Sequence, residues 1–196
     1  MSSEAQWLRP HRFLAAGILL VPLTALIELC MHRLPISQSH RILLWSPITS
    51  PELSQQIADA YSFSHIIHGL AFYAIFRLIT KRSGKFSLPL CFFLATLTEC
   101  CWEILENTPM IIERYRRQAL AAGYYGDSIL NSVCDILFAA LGFYLAAKFP
   151  TWGSIALLLI IELTLAITIR DNLALNIINL IHPLEFIKHW QSHRGF

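Results

Sequence analysis

The chain has 196 residues, 55% of them hydrophobic and only 14% charged, with a formal net charge of +2 and a mean hydropathy of +0.52. Soluble domains carry about 25% charged residues, and the apolar residues here arrive in long runs, which excludes a soluble globular domain. The few basic residues sit beside those runs, which excludes nucleic-acid binding.

In chain order, residues 13–31 form the first run able to cross a bilayer, which takes about 20 mostly apolar residues. Pro22 is placed to kink it. Arg9, His11 and Arg12 in front imitate a signal peptide, but the run is too long for one and no small-x-small site closes it, so it reads as a retained span. A polar connection, residues 33–60, follows. Within it Ser50-Pro51-Glu52 predicts a helix start from a serine cap, a proline at the first position and an acid. Further spans are predicted at residues 61–80, 88–111, 129–148 and 152–169. A polar loop rich in arginine and tyrosine occupies residues 113–127. The tail from Asp171 onward holds one short apolar stretch before His182-Pro183. It is too short for a sixth span and reads as an interfacial or partly re-entrant helix. The expected fold is an all-α polytopic transmembrane helix bundle of about five spans, in one domain covering residues 1–196.

Cys30, Cys91, Cys100, Cys101 and Cys134 form no C-x-x-C pair and lie in or beside apolar stretches. They read as small hydrophobes rather than disulfides or metal ligands.

Arg9, Arg12, Lys81, Arg82, Lys85 and Lys148 fall on one side of the alternating spans, which marks that side, with the N-terminus, as cytoplasmic. Arg114, Arg116 and Arg117 fall on the other side and call for a specific partner, either acids or an anionic headgroup. Most ionisable and amide groups in or beside the spans gather toward that second side. They are Glu28, His65, His68, Glu99, Glu103, Glu106, Asp127, Asn131, Asp135, Arg170 and Asp171, with Glu162 the acid that does not join them. Glu99, Glu103 and Glu106 are spaced i, i+4, i+7 and share one helical stripe. His65 and His68, at i, i+3, share a face, as do Asn131 and Asp135 at i, i+4. A charge near the bilayer centre costs about 2.5–3.5 kcal/mol on insertion scales, so such a cluster is a functional-site hypothesis. Residue by residue, a plainer reading stands beside it. The histidines can be packing residues, Glu106 an interfacial acid, Asp127-Ser128 a helix cap and the arginines a solvated loop.

The stretches Tyr61–Gly69 (YSFSHIIHG), Trp102–Asn107 (WEILEN), Ile111–Arg116 (IIERYR), Gly126–Asp135 (GDSILNSVCD) and Ile169–Leu173 (IRDNL) resemble the bacterial membrane family known as domain of unknown function 2585. The resemblance spans about residues 50–190 and implies a multi-pass protein of the bacterial inner membrane. The chain departs from the family pattern at Trp45-Ser46-Pro47 and Glu52-Leu-Ser-Gln-Gln56, where relatives are expected to carry histidine-containing stretches. A looser similarity to VanZ-like membrane proteins rests on His65, His68, Glu103, the arginine loop, Asp127 and Asn131.

Three functions fit these residues. The first is an enzyme acting on a lipid or lipid-linked molecule at the periplasmic interface. A divalent metal would be the cofactor, held by His65, His68, Glu103 and Asp127 or Asp135, and would activate water. Glu99, Glu103, Glu106 and Asp135 are the catalytic candidates, Glu99 or Glu106 serving as general acid or base. Arg114, Arg116 and Arg117 would hold a phosphate headgroup, and Asn107, Asn131 and Arg170 offer further polar contacts to a substrate. The second is a proton-coupled transporter using the same groups as a relay, although the spans turn apolar toward the cytoplasmic side. The third is a non-catalytic binding or structural protein whose buried polar groups lock the bundle.

Overall fold

The computed structural model describes residues 4–84, 86–118, 120 and 123–192, with side chains from residue 11 onward. Lys85, one of the basic residues counted above, lies outside them. The elements are α1 (Glu4–Cys30), α2 (Ser62–Arg82), α3 (Leu88–Glu106), α4 (Pro109–Arg116), α5 (Ile129–Lys148), α6 (Thr151–Ile169), α7 (Leu173–Ile181) and α8 (Glu185–Ser192). Five segments are long and apolar enough to cross a membrane: His11–Cys30, Ser62–Arg82, Leu88–Glu106, Ile129–Lys148 and Thr151–Ile169. The expected all-α bundle is therefore found, and no strand occurs among the described residues. Its outer surface is apolar, with Leu19, Ile160, Leu163 and Ile167 exposed on α1 and α6. Its interior holds the acids, amides and histidines. A chain that faces lipid on its flanks distributes side chains in this way, because its polar groups find partners only inside.

Several local expectations change. The third run does not continue as one helix to residue 111. Pro109 has no amide to give the Leu105 carbonyl and pushes Thr108 into an extended conformation (ψ 150°). Leu105 instead accepts from the Thr108 amide at 3.0 Å and the Thr108 hydroxyl at 2.6 Å. The chain bends there and restarts as α4, so the expected loop 113–127 begins inside a helix that ends at Arg116. By contrast α1 runs unbroken through Pro22. The serine-proline start at residue 50 yields only turns. Ser50 Oγ does accept from the Glu52 amide at 3.0 Å, but Ser54 adopts a left-handed conformation (φ 59°). The Ser54 amide turns to the Asp59 carboxylate at 2.9 Å, and no helical ladder forms. All five cysteines are free, and Cys91 and Cys100 are buried while Cys30 and Cys101 are exposed on the apolar flanks.

The tail forms two short helices rather than one. Arg170 closes α6 in the left-handed region (φ 54°), and the chain turns so that the start of α7 meets the last turns of α6. The Glu162 carboxylate, two turns before the end of α6, accepts from the amides of Leu173 and Ala174 at 3.0 and 3.2 Å. The outlying acid of the sequence therefore caps the N-terminus of α7, where its charge also suits the helix dipole.

Helices α2 and α5 form the most extensive contact of the bundle, and α1, α3 and α6 pack around them. Their crossing is made at glycine. A Cβ added to Gly69 would overlap the carbonyl of Ala139, and one added to Gly142 would overlap the carbonyl of Ile66. Small residues at such crossings let backbones touch, the main source of attraction between helices in lipid. Gly69→Ala or Gly142→Ala should force the helices apart and destabilise the protein by about 1–3 kcal/mol. Gly153→Ala on α6, whose added carbon meets neighbours no closer than 3.5 Å, should be neutral or slightly stabilising. Denaturation in detergent with the three variants side by side checks the contrast.

Candidate functional site

One end of the bundle gathers the C-terminal ends of α1, α3 and α6 with the N-terminal ends of α2 and α5. Here the predicted histidines and glutamates meet. His65 Nδ1 lies 2.5 Å from Glu99 Oε1, and His68 Nδ1 lies 3.1 Å from both Glu99 oxygens. The i, i+3 spacing on α2 thus aims two rings at one carboxylate on α3, with ring centroids 5.0 Å apart, edge to face. A carboxylate only accepts, so each Nδ1–H donates to Glu99, and each Nε2 is left for other partners. His65 Nδ1 also lies 3.3 Å from Glu103 Oε1, and His65 Nε2 lies 3.7 Å from Asp135 Oδ2 on α5. Trp102 meets the His68 ring edge to face. His65, Glu99, Glu103 and Asp135 are buried, while His68 and Glu106 are half-buried.

Both histidines open onto a cavity of about 380 Å³. Its wall includes Glu106, Asp127 and Asp135, whereas Glu99 and Glu103 stand behind it. Glu99 is therefore placed to orient the histidines rather than to meet a ligand, an outer-shell role familiar from carboxylate–histidine pairs. Among the described residues two groups have ligand atoms within 4.8 Å of one another, His65–His68–Glu99 and His65–Glu103–Glu106. Asp127, a predicted metal ligand, belongs to neither group. Its Oδ2 accepts from Asn107 Nδ2 at 3.2 Å and its Oδ1 from the Tyr124 hydroxyl at 3.0 Å.

Asp127 and Asn107 sit in a second network that secures the roof of the cavity. Asn107 accepts from the Asp127 amide at 2.8 Å and donates to Ser132 Oγ at 3.2 Å. The first loop docks on the start of α5, whose leading amides have no partner within the helix. Those of Ile129 and Leu130 donate to the carbonyls of Leu34 and Pro35 at 2.8 and 3.1 Å. Ser128, the cap, accepts from the Asn131 amide at 3.2 Å and donates to the Gln55 carbonyl at 3.0 Å. Asn131 Nδ2 donates to the Gln56 carbonyl at 2.9 Å, and Gln55 Nε2 donates to the Gly126 carbonyl at 2.6 Å. Arg33 packs against Gly126 (φ 94°), where a side chain would collide with its guanidinium. It donates to the carbonyls of Tyr125 and Asp127 at 2.7 and 3.1 Å. Asn131 and Asn107 therefore hold the scaffold and do not line the cavity.

The arginines expected to grip a phosphate do not line it either. Arg114 donates to the carbonyls of Leu180 and Ile181 at 2.7 and 2.6 Å, neutralising the C-terminal end of α7. Arg116 pairs with Glu113 at 2.6 Å and donates to the Tyr124 carbonyl at 2.6 Å. Arg117 is exposed at the end of α4. Arg170 donates to the Trp190 carbonyl at 3.0 Å and lies over the Trp190 ring. Sequence reasoning missed Arg33, Gln55, Gln56, Asp59 and Ser64. Asp59 is buried and accepts from the amides of Ser54 and Tyr61 at 2.9 and 2.7 Å. Two adjacent glutamines and an acid just before an apolar run were the available signal.

The family model described as "Protein of unknown function (DUF2585)" matches residues 28–193. The chain belongs to the DUF2585 family. Curated relatives carry the name UPF0314 protein. One from Agrobacterium fabrum is 45% identical over 91% of this chain and 88% of its own length. One from Sphingopyxis alaskensis is 48% identical over 88% and 91%, and one from Brucella anthropi 42% identical over 98% and 99%. No solved structure matches this DUF2585 protein.

In this DUF2585 chain the Asp127 carboxyl, outside the apolar spans, is pushed from its ordinary 3.8 up to about 7. Burial is the main cause, and the neighbouring Asp59 carboxyl adds to it; the bonds from Tyr124 and Asn107 and the charge of Arg33 oppose it. The folded state thus holds a proton that the unfolded chain gives up. The associated stability is fully present below about pH 4 and is lost as the pH rises to about 7. Melting temperatures between pH 4 and 8 should fall by several degrees in the wild type and fall distinctly less in Asp127→Asn.

Proposed function

We propose that this protein is a membrane-embedded, metal-assisted hydrolase or transferase acting on a lipid or lipid-linked substrate. The observation that carries the reading is the pair of histidines on the cavity wall, each backed through Nδ1 by Glu99. That arrangement leaves Nε2 as the basic, correctly turned atom for a divalent cation. His65 and His68 would hold the ion with one of the carboxylates beside them on the cavity wall, Glu106 or Asp135. The ion would lower the pKa of a bound water and polarise a carbonyl or phosphoryl oxygen. Glu106 and Asp135 line the cavity and suit proton transfer to or from the substrate. Apolar wall residues such as Ile48, Leu53 and Leu173 give a hydrocarbon chain its place.

Two alternatives are less well supported. A purely structural lock satisfies its own polar atoms. Here the Asp135 Oδ1, the Ser64 Oγ and both Glu103 oxygens are buried without a hydrogen-bond partner among the described residues. A proton-coupled transporter needs polar groups to continue toward the other end. There Phe72, Tyr73, Phe76, Phe92 and Phe143 close around Cys91 and Ala95. We further propose a bacterial inner-membrane location with the N-terminus cytoplasmic and the cavity toward the periplasm. The basic last turns of α2 (Lys81, Arg82) and α5 (Lys148) lie at the end opposite the cavity.

Elemental analysis of detergent-purified protein, prepared without chelators, tests the reading. Wild type should carry about one divalent ion per chain, and His65→Ala and His68→Ala should each lose most of it. A well-folded wild type that stays metal-free after reloading removes the mechanism.

A further inference from the structure

The wall of the cavity has a charge character that the proposed chemistry does not require. No lysine or arginine among the described residues lines it. Arg33, Arg114 and Arg116 on the surrounding loops are tied to backbone carbonyls. Facing the cavity or directly behind it stand five carboxyl groups: Glu99, Glu103, Glu106, Asp127 and Asp135. A divalent ion held by neutral histidines would bring two positive charges, fewer than the carboxyl groups gathered here. The wall is also aromatic, with Tyr61, Trp102, Tyr115, Tyr124 and Tyr125 around the opening.

Three residues of the wall carry buried polar atoms without a hydrogen-bond partner among the described residues. Asp135 is 5% exposed and its Oδ1 has no hydrogen-bond partner among the described residues. Ser64, also 5% exposed, has a free Oγ, and Gln118, 8% exposed, has a free Nε2. All three line the cavity. Buried polar atoms are nearly always satisfied, so such a set marks a place for a ligand's own polar groups. An acceptor at Asp135 within an acidic, aromatic wall asks for an N–H donor with positive charge. The same wall offers a phosphate no lysine or arginine among the described residues.

We infer that the cavity takes an amphiphile whose head is a protonated amine, the ammonium meeting Asp135 and Glu106 among the aromatic rings and the hydrocarbon chain lying along Ile48, Leu53 and Leu173. This narrows the substrate class of the proposed reaction and rests on that reading for the location of the site alone.

The test is calorimetric titration of the detergent-purified protein with dodecylamine and with dodecyl phosphate, each corrected for transfer into protein-free micelles. The probes share a tail and differ in the charge of the head. Dodecylamine should bind saturably and at least about tenfold tighter than the phosphate, and Asp135→Asn and Glu106→Gln should each weaken it by about tenfold or more. If one variant does not fold, the other decides. Phosphate binding as tight as the amine, with or without metal, overturns the inference. So does the absence of amine binding, or amine binding that folded variants leave unchanged. Metal content measured on the same samples separates the two ideas. Amine selectivity in metal-free protein would sink the hydrolase reading and leave this one standing, and metal without amine selectivity would do the reverse.

Discussion

The contact between the backbones of α2 and α5 at Gly69 and Gly142 sets the geometry on which the polar end of the bundle depends. Gly69 meets Ala139 one turn after Asp135, and His65 lies one turn before Gly69. Once those backbones touch, His65 has no choice but to face Asp135, at 3.7 Å. His68, one turn on and rotated toward α3, then shares Glu99 with it. A wider crossing would separate the imidazoles from the α5 acid and open the interior to lipid. In a lipid-facing bundle no solvent stands ready to replace those lost partners.

The second constraint is that the leading amides of α5 must be satisfied. The first loop satisfies them: the carbonyls of Leu34, Pro35 and Ser54 accept from the amides of Ile129, Leu130 and Ser128, and the Ser128 hydroxyl donates to the Gln55 carbonyl beside them. This docking carries residues 48–54 over the histidines and holds the Tyr124–Asp127 segment opposite them. The cavity is therefore not a gap left between helices. It is a chamber whose floor is the His–Glu cluster and whose roof is loop backbone fixed by amide, serine and arginine contacts. Asp171 ties the tail into the same end, accepting from the Tyr61 hydroxyl at 2.9 Å and from Gln191 Nε2 at 3.1 Å.

Most of the framework is legible in the sequence, because apolar run length and helical spacing are local properties. The five spans and the convergence of Glu99, Glu103, His65, His68 and Asp135 follow from them. The break at Asn107-Thr108 was equally local, since Pro109 announces it, but the apolar Met110-Ile111-Ile112 after it disguised the stop. What the sequence hides is long-range pairing. Arg114 and Arg116 look like free cations until α7 and the Tyr124 carbonyl reach them. Glu162 looks like a stray acid until the chain turns back at Arg170. Asp127 looks like a ligand until Asn107 and Tyr124 occupy both its oxygens. Each case depends on a partner far along the chain, which periodicity cannot supply.

Glu99 accepts from Nδ1 of both His65 and His68, and the proposed chemistry needs their Nε2 atoms left free for a ligand. Long-range ¹H–¹⁵N spectra of histidine-labelled protein, with Glu99→Gln as the comparison, read this directly. The account predicts protonated Nδ1 on both His65 and His68 in the wild type, disturbed in the variant. Bare Nδ1 atoms with the proton on Nε2 would contradict it, because the rings would then present their basic nitrogen to Glu99 and not to the cavity.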